Sequence, residues 1–113
     1  MRPRIYISGP ISKGNWSDNF HAFCKAFEKL KDLGAAPFNP GKSMLYPGNQ
    51  HIPHNVWLEI DLAWVEVADA VFLLPGESTG AEMECAHART KGIPIFVSYY
   101  DVCAWMESLR AVA

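Results

Sequence analysis

The chain has 113 residues, of which 50% are hydrophobic and 19% are charged. This length and apolar content suit one compact domain with a buried core, spanning residues 1–113, and leave no room for a second domain. Ten basic and twelve acidic residues are scattered along the chain and give a net charge of -2, which excludes an electrostatic track for a nucleic acid polymer.

The first half of the chain predicts a strand, a helix and a second strand. Residues 4–8 (RIYIS) are β-branched and aromatic and stop at Gly9-Pro10, which is typical of a strand entering a turn. Large apolar residues then recur every three or four positions over residues 16–33, which predicts an amphipathic helix that ends before Gly34. Residues 35–40 (AAPFNP) predict a short strand. Residues 40–53 form a long polar connection, either a functional flap or a mobile insert.

The second half alternates helices with strands. Trp57, Ile60, Asp61, Trp64 and Val65 share one helical stripe, which predicts a helix over residues 54–67. The apolar run at 69–74 predicts a strand buried on both faces. A helix at 81–91, a strand at 94–98 and a helix at 102–112 complete the pattern. Such alternation predicts an α/β fold, a Rossmann-like or flavodoxin-like three-layer sandwich with a parallel sheet of four to five strands.

The three cysteines predict thiols and not cross-links. Cys24, Cys85 and Cys103 are odd in number, lie on apolar patterns and form no CxxC pair, which favours reduced, buried thiols over disulfides or zinc ligands. His51 and His54 have no third ligand at metal-site spacing, so we expect no metal, and no motif indicates a cofactor. The N-terminus lacks a signal-peptide core and no apolar run has membrane-spanning length, which favours a cytoplasmic protein.

The loop PGESTG, residues 75–80, has two interpretations. In parallel α/β folds ligands bind beyond the carboxyl ends of the strands, where helix N-termini present free N–H groups. Ser78 and Thr79 can therefore hold a ligand, or they can simply cap the next helix. Glu84 comes six residues after Ser78 and should project towards the ligand crevice, whereas Ala81, Cys85 and Ala88 should pack on the sheet. Most helical glutamates are solvated, and that alternative stays open for Glu84.

Asp61 is the second unusual carboxylate. It lies too far into its predicted helix to cap it, and it shares a stripe with Trp57 and Trp64. A carboxyl group in such surroundings needs either a basic partner or a raised pKa. A raised pKa would suit a general acid, and a buried salt bridge is the alternative.

Four motifs together resemble the nucleoside 2-deoxyribosyltransferase superfamily. They are Tyr6-Ile7-Ser8-Gly9-Pro10, the Asn19–Gly34 pattern NFxAFxxAxxxLxxxG, the Asp61-Leu62-Ala63-Trp64 segment, and Ser78-x-Gly80-x-x-x-Glu84 preceded by LLPG. The small phage and bacterial domains of the DUF4406 type are the most similar members. The motifs cover nearly the whole chain in the right order.

The resemblance implies a role for each matching residue. Glu84 matches the nucleophile that attacks the anomeric carbon and forms a covalent glycosyl ester, Asp61 the acid that protonates the leaving base, and Tyr6 the tyrosine that orients the nucleophile. The same chemistry follows from the reaction, which needs one carboxylate beside the anomeric carbon and one acid near the base. The substrate-binding set is Ser8, Gly9, Pro10, Ile11, Ser12, Lys13, Ser78, Gly80 and Trp57.

Ser78 carries the hypothesis about the substrate's 5′ end. Relatives that act on free nucleosides have an acidic residue at this position, whereas relatives that act on 5′-monophosphates have serine, which can donate to a phosphate. The phosphate-selective relatives also use an arginine in the first loop. Here Lys13 is a displaced substitute.

The resemblance therefore implies an N-glycosidase acting on a (deoxy)nucleoside 5′-monophosphate. The alternatives are a 2-deoxyribosyltransferase that exchanges bases and a non-catalytic nucleotide-binding sensor. A phosphoribohydrolase is excluded because PGESTG lacks the PGGxGT arrangement. We expect a small-molecule nucleotide substrate, no membrane partner, and a homodimer or higher homo-oligomer.

Overall fold

The computed structural model describes residues 1–112, except for the side chains of residues 42–44. Four parallel strands form one sheet in the order β2-β1-β3-β4: β1 Arg4–Ser8, β2 Ala36–Phe38, β3 Ala70–Leu73 and β4 Ile95–Phe96. The helices are α1 Trp16–Asp32, α2 His54–Glu66, α3 Thr79–Thr90 and α4 Tyr99–Val112. Two short 3₁₀ helices, Pro40–Leu45 and Asn49–His51, occupy the connection between β2 and α2. The predicted Rossmann-like α/β fold with a parallel sheet is confirmed.

The alternation of side chains along β1 divides the core into two layers. Ile5 and Ile7 point to the face covered by α1 and α4, where they pack with Phe23, Leu30 and other buried residues. Tyr6 points to the opposite face, with Val65, Val71, Cys85 and Ala88. Successive residues of a strand face opposite sides of the sheet, so Ser8 shares the face of Tyr6. That face is the one covered by α2 and α3.

The strand order also determines where a crevice can form. From β1 the chain crosses through α1 to β2 on one side, and from β2 it returns through α2 to β3 on the other side of β1. The direction of winding therefore reverses between β1 and β3. A reversal of this kind opens a crevice at the carboxyl ends of the two central strands.

Two helices begin earlier than the sequence pattern predicts. Helix α3 begins at Thr79, because Ser78 is its N-cap and accepts a hydrogen bond from the Ala81 N–H at 3.1 Å. Helix α4 begins at Tyr99, and the Ser98 hydroxyl accepts from the Tyr100 N–H at 3.1 Å. In both cases a serine immediately before the helix satisfies an N–H group that lacks a partner within the helix.

The predicted single stripe on α2 is wrong in part. Val65 is fully buried, but Ile60 and Trp64 are 42% and 50% exposed. The reason is that α2 packs on the sheet through Val65 and beside α3, so one residue stripe cannot face both the sheet and the crevice. Trp57 and Asp61 are half-buried and line the crevice.

The three cysteines are free thiols in different environments. Cys85 is buried as predicted, and Cys24 is half-buried. Cys103 is exposed, so the prediction of a buried thiol is wrong there. Helix α4 is amphipathic and packs on the sheet through Val102 and Met106, which leaves Cys103 on its outer face.

Candidate active site

A cavity of about 360 Å³ opens at the carboxyl edge of the sheet. Its walls are the loop after β1, the first half of α2, and the start of α3. The lining residues are Gly9, Ile11, Ser12, Lys13, Asn49, His54, Trp57, Leu58, Asp61, Ser78, Thr79, Gly80, Ala81 and Glu84. The cavity therefore lies at the reversal point between β1 and β3, where the fold predicts a ligand.

Glu84 is held by two hydroxyl groups. It lies in the second turn of α3, is only 5% exposed, and lines the cavity. The Tyr6 hydroxyl donates to Oε2 at 2.8 Å, and the Ser8 hydroxyl donates to Oε1 at 2.7 Å. Burial raises the pKa of Glu84 above its ordinary value, and the hydrogen bonds from Ser8 and Tyr6 oppose that rise. The carboxylate thus has a fixed orientation.

Asp61 places a second carboxyl group in the same cavity. It lies two turns into α2 and is half-buried. Burial, and secondly the negative charge of Glu84, raises the pKa of Asp61 to about 7. No basic side chain among those described forms a salt bridge with Asp61, which argues against the salt-bridge interpretation. Two neighbouring carboxyl groups in one apolar-walled site favour a state in which one is ionised and the other is protonated.

Tyr6 lies behind Glu84 and not on the cavity wall. Its side chain is 1% exposed, and burial, followed by the charges of Glu84 and Asp61, raises the pKa of its phenol above the ordinary value. The phenol is therefore a hydrogen-bond donor at any physiological pH. The Tyr6 ring stacks on Phe38 with centroids 5.6 Å apart, and Phe38 stacks on Trp64 at 5.1 Å. This three-ring stack restricts the position of the Tyr6 hydroxyl.

The loop after β1 is fixed by contacts with its surroundings. The Asn19 side-chain amide donates to the carbonyl groups of Ile11 at 3.2 Å and Lys13 at 2.7 Å. Pro10 packs against the loop after β3, where a Cβ on Gly76 would lie only 3.0 Å from the proline ring. Gly76 has a φ of +117°, so a side chain would also strain its backbone. The two loops therefore form one cavity rim.

Gly9 is required for packing. A Cβ at this position would lie 2.8 Å from the Cβ of Leu74, which directly follows β3. The close approach of the two central strands at their carboxyl ends thus leaves no space for a side chain at Gly9. The position also lines the cavity, so the backbone itself forms part of the wall.

Lys13 carries positive charge at the cavity. Its ammonium group forms an ion pair with Glu77 at 2.9 Å, and the two side chains are 68% and 85% exposed. Exposed pairs of this kind contribute only about 0–1 kcal/mol. Lys13 can therefore exchange Glu77 for an anionic group of a ligand at little energetic cost.

Ser78 combines capping with a place on the cavity wall. Its oxygen accepts a hydrogen bond from the Ala81 N–H, so the capping interpretation is correct. The residue also lines the cavity, so capping does not exclude a contact with a ligand. The hydroxyl hydrogen is not used by that bond and is available to a ligand. The N-terminus of α3, to which Ser78 belongs, also favours a negatively charged group.

The apolar wall of the cavity comes from the first half of α2. Trp57 and Leu58 line it together with His54. The Trp57 indole N–H donates to the Asn49 carbonyl oxygen at 3.2 Å, which fixes the ring relative to the preceding 3₁₀ helix. His51 does not line the cavity. A planar aromatic group of a ligand could pack against this wall.

The structure brings together most of the predicted site, with two exceptions among the binding residues. Ser8 is fully buried and bonded to Glu84, and Pro10 packs between the two loops, so neither lines the cavity. Sequence reasoning missed Leu58, and it did not single out Asn19 as the residue that fixes the first loop. The sequence did contain a signal for the role of Asn19, because it is a polar residue among the apolar positions at the start of α1.

Neither a metal-binding cluster nor a membrane-spanning helix occurs in the part of the chain that the structure describes. No group of three or more His, Cys, Asp or Glu side chains is placed to hold a metal ion there. None of the helices described has the length and apolar content needed to span a membrane.

The fold and the paired carboxyl groups define a class: a small doubly wound α/β domain with an acidic cavity at its topological switch point. Residues 3–97 match the model of the "Domain of unknown function (DUF4406)". The chain therefore belongs to the DUF4406 family, as the motifs predicted. No curated protein matches it.

Among solved structures, the fold is similar to that of the 2-deoxyribosyltransferase from the psychrotolerant bacterium Bacillus psychrosaccharolyticus. The TM-score is 0.62 with 23% sequence identity, over 81% of this chain and 69% of that chain. The predicted likeness of fold to 2-deoxyribosyltransferases is confirmed.

Proposed function

We propose that this protein cleaves the N-glycosidic bond of a (deoxy)nucleoside 5′-monophosphate through a covalent intermediate on Glu84. The observation that carries the proposal is the pair of carboxyl groups in one cavity: Glu84 is held by two hydroxyl donors, and Asp61 lies where burial and the charge of Glu84 raise its pKa. Glycosidic cleavage needs one ionised carboxylate and one protonated carboxyl group in one site.

The proposed first step transfers the sugar to the protein. An oxygen of Glu84 attacks the anomeric carbon, the carbon–nitrogen bond breaks, and its electron pair goes to the base. The Asp61 proton passes to the base, so that a neutral base leaves. Trp57 and Leu58 provide an apolar wall on which the base can lie.

The proposed second step returns Glu84 to its starting state. Asp61, now ionised, takes a proton from a water molecule, whose oxygen attacks the anomeric carbon and displaces the Glu84 carboxylate. The products are free base and sugar phosphate. A second base in place of water would give base exchange, which is the transferase alternative.

The preference for a monophosphate rests on three groups of the cavity wall. Lys13, the Ser78 hydroxyl and the N-terminus of α3 all line the cavity, and each favours an anion. The Glu77 partner of Lys13 is exposed and weakly held, so a phosphate can replace it.

The test is base release from a panel of nucleosides and nucleoside 5′-monophosphates, followed by liquid chromatography. We expect release by the wild-type protein and none above background by Glu84→Gln, because the amide cannot form the glycosyl ester. Glu82→Gln is the matched control, since Glu82 lies on the same helix and is exposed. It should retain wild-type activity.

Trapping would identify the intermediate directly. A 2′-fluoro nucleotide destabilises positive charge on the sugar. Where it slows hydrolysis of the glycosyl ester more than its formation, mass spectrometry of digested protein should find the sugar on the peptide that contains Glu84. Tight binding of nucleotides with no base release by the wild type would contradict the proposal and support the sensor alternative.

A further inference from the structure

Ser8 has a position that no substrate contact explains. It is the last residue of β1, its side chain is fully buried, and it does not line the cavity. Its single hydroxyl hydrogen is donated to Glu84 Oε1 at 2.7 Å. A hydroxyl group has one donor, so Ser8 has none left for a ligand. Its effect on the cavity must pass through Glu84.

The donors in the site are distributed unequally between the two carboxyl groups. Glu84 accepts one hydrogen bond on each oxygen, from Tyr6 and from Ser8. No donor to the Asp61 carboxyl group occurs among the side chains and backbone groups that the structure describes. Hydrogen bonds to a carboxylate favour its charged form. The unequal supply therefore favours ionised Glu84 and protonated Asp61, the arrangement that the proposed function needs.

We propose that Ser8 is a positioning residue that, together with Tyr6, keeps Glu84 ionised and oriented so that the proton of the carboxyl pair resides on Asp61. This inference rests on the proposed function of the same site and assigns the division of roles between its two carboxyl groups. Tyr6 fixes one oxygen of Glu84 and Ser8 fixes the other, so loss of either hydroxyl leaves one carboxylate oxygen without a donor.

The titratable groups that face Glu84 or share its cavity are Tyr6 from β1, Asp61 and His54 from α2, Cys85 from α3 and Lys13 from the first loop. Burial raises the pKa of Cys85, so its thiol stays neutral near pH 7. Tyr6 likewise remains a neutral donor. Ser8 also contacts the Cys85 thiol, but that thiol does not line the cavity, so the carboxyl pair is the part of the cavity on which Ser8 acts directly.

The experiment compares wild type with Ser8→Ala, and Ser8→Thr with Ser8→Val. Thr and Val have the same shape and differ only in the hydroxyl, so their comparison isolates the hydrogen bond even where the added methyl crowds the core. Loss of a hydrogen bond to a charged group should lower kcat by about 10- to 100-fold in the Ala and Val variants. KM should stay near the wild-type value, because Ser8 does not touch the cavity.

The pH dependence separates positioning from a merely structural role. Activity needs ionised Glu84, and Ser8→Ala removes a bond that favours the ionised form, so the acidic limb of the pH–rate profile should move to higher pH. Ser8→Thr should restore the wild-type limb. An unchanged acidic limb in Ser8→Ala, or equal kcat values in the Thr and Val variants, would overturn the inference, whatever the effect on melting temperature.

A readout without turnover keeps this inference distinct from the proposed function. Carbon-13 NMR titration of the Glu84 side-chain carboxyl follows its pKa directly in the free protein. We expect that pKa to be higher in Ser8→Ala than in wild type, and an unchanged value rejects the role of Ser8. Wild-type protein that releases no base, but shows this difference, would reject the proposed function and leave the Ser8 assignment standing.

Discussion

Asp61 has a carboxyl group among apolar neighbours, a half-buried position on α2, and a nearby negative charge on Glu84. Each of these disfavours its ionised form. Glu84 is more deeply buried, yet two hydroxyl donors support its charge. The contrast between the two residues therefore arises from hydrogen bonds and not from burial alone.

Asp61→Asn tests the proton donor. Because the pKa of Asp61 is raised to about 7, the proton is present below that pH and is lost above it, so wild-type activity should fall as pH rises through about 7. The amide cannot transfer a proton, and kcat should drop by about 10²- to 10⁴-fold. The decline in activity above about pH 7 should be absent from the Asp61→Asn variant, because that decline reflects loss of the Asp61 proton.

The control for Asp61→Asn is Glu59→Gln on the exposed side of α2. It should leave both kcat and the pH profile unchanged. A wild-type profile that shows no decline near pH 7, or an Asp61→Asn variant with wild-type kcat, would contradict the assignment of Asp61 as the acid.

At the scale of elements, the start of α3 serves both folding and binding. Ser78 caps the helix, and the same turn forms part of the cavity wall. The capping bond and the ligand contact use different parts of the hydroxyl group, its oxygen lone pair and its hydrogen. A carboxylate residue at this position would still cap the helix, but it would change the contact with the ligand.

Ser78→Asp should therefore change the substrate preference without loss of stability. Aspartate caps helices as well as serine does, so the midpoint of urea unfolding should stay near wild type, whereas Ser78→Ala should lose about 1 kcal/mol. A carboxylate at this position repels a phosphate. The ratio of kcat/KM for nucleoside over monophosphate should rise by about tenfold or more, equivalent to at least ~1.4 kcal/mol.

Equal preference in Ser78→Asp and wild type would show that Ser78 does not contact the 5′ end. Glu77→Asp, in the same loop and exposed, is a control for a change of side chain in this loop at constant charge, since it retains the carboxylate beside Lys13. Its preference should match wild type.

For the whole molecule, one surface exposes several large apolar side chains side by side. Phe38, Ile60, Trp64 and Val67 are between 37% and 50% exposed, and we call this group the apolar α2 face. The three-ring stack joins it to Tyr6 behind the cavity. Exposed apolar patches rimmed by polar residues are typical of protein interfaces.

We expect a second copy of the chain to cover the apolar α2 face. Trp64→Glu places a charge in its centre and should shift the protein towards monomer, measured by analytical ultracentrifugation across protein concentration. Trp16→Glu is the matched control, because Trp16 is equally exposed, at 51%, but lies on α1. It should remain associated. A monomeric wild type, or a Trp64→Glu variant with unchanged association, would contradict the expected homodimer.

Periodicity in the sequence predicted the element order and the parallel α/β architecture, because buried strands and amphipathic helices have different apolar patterns. Helix starts were less accurate, since a cap such as Ser98 depends on the local turn geometry and not on periodicity. The exposed positions on α2 were also missed. One helix can face a sheet, a neighbouring helix and a cavity at once, and a stripe in the sequence does not distinguish among them.

The sequence by itself determined that Tyr6 and Ser8 share one face of β1, because side chains alternate along a strand. It also identified Glu84 and Asp61 as unusual carboxylates. Only the tertiary structure decided that both hydroxyls of that face meet Glu84, 78 and 76 residues away, while Asp61 receives no such donor among the described residues. The reason is physical: strand alternation is local, but the contact between β1 and α3 depends on how the whole chain packs around the sheet.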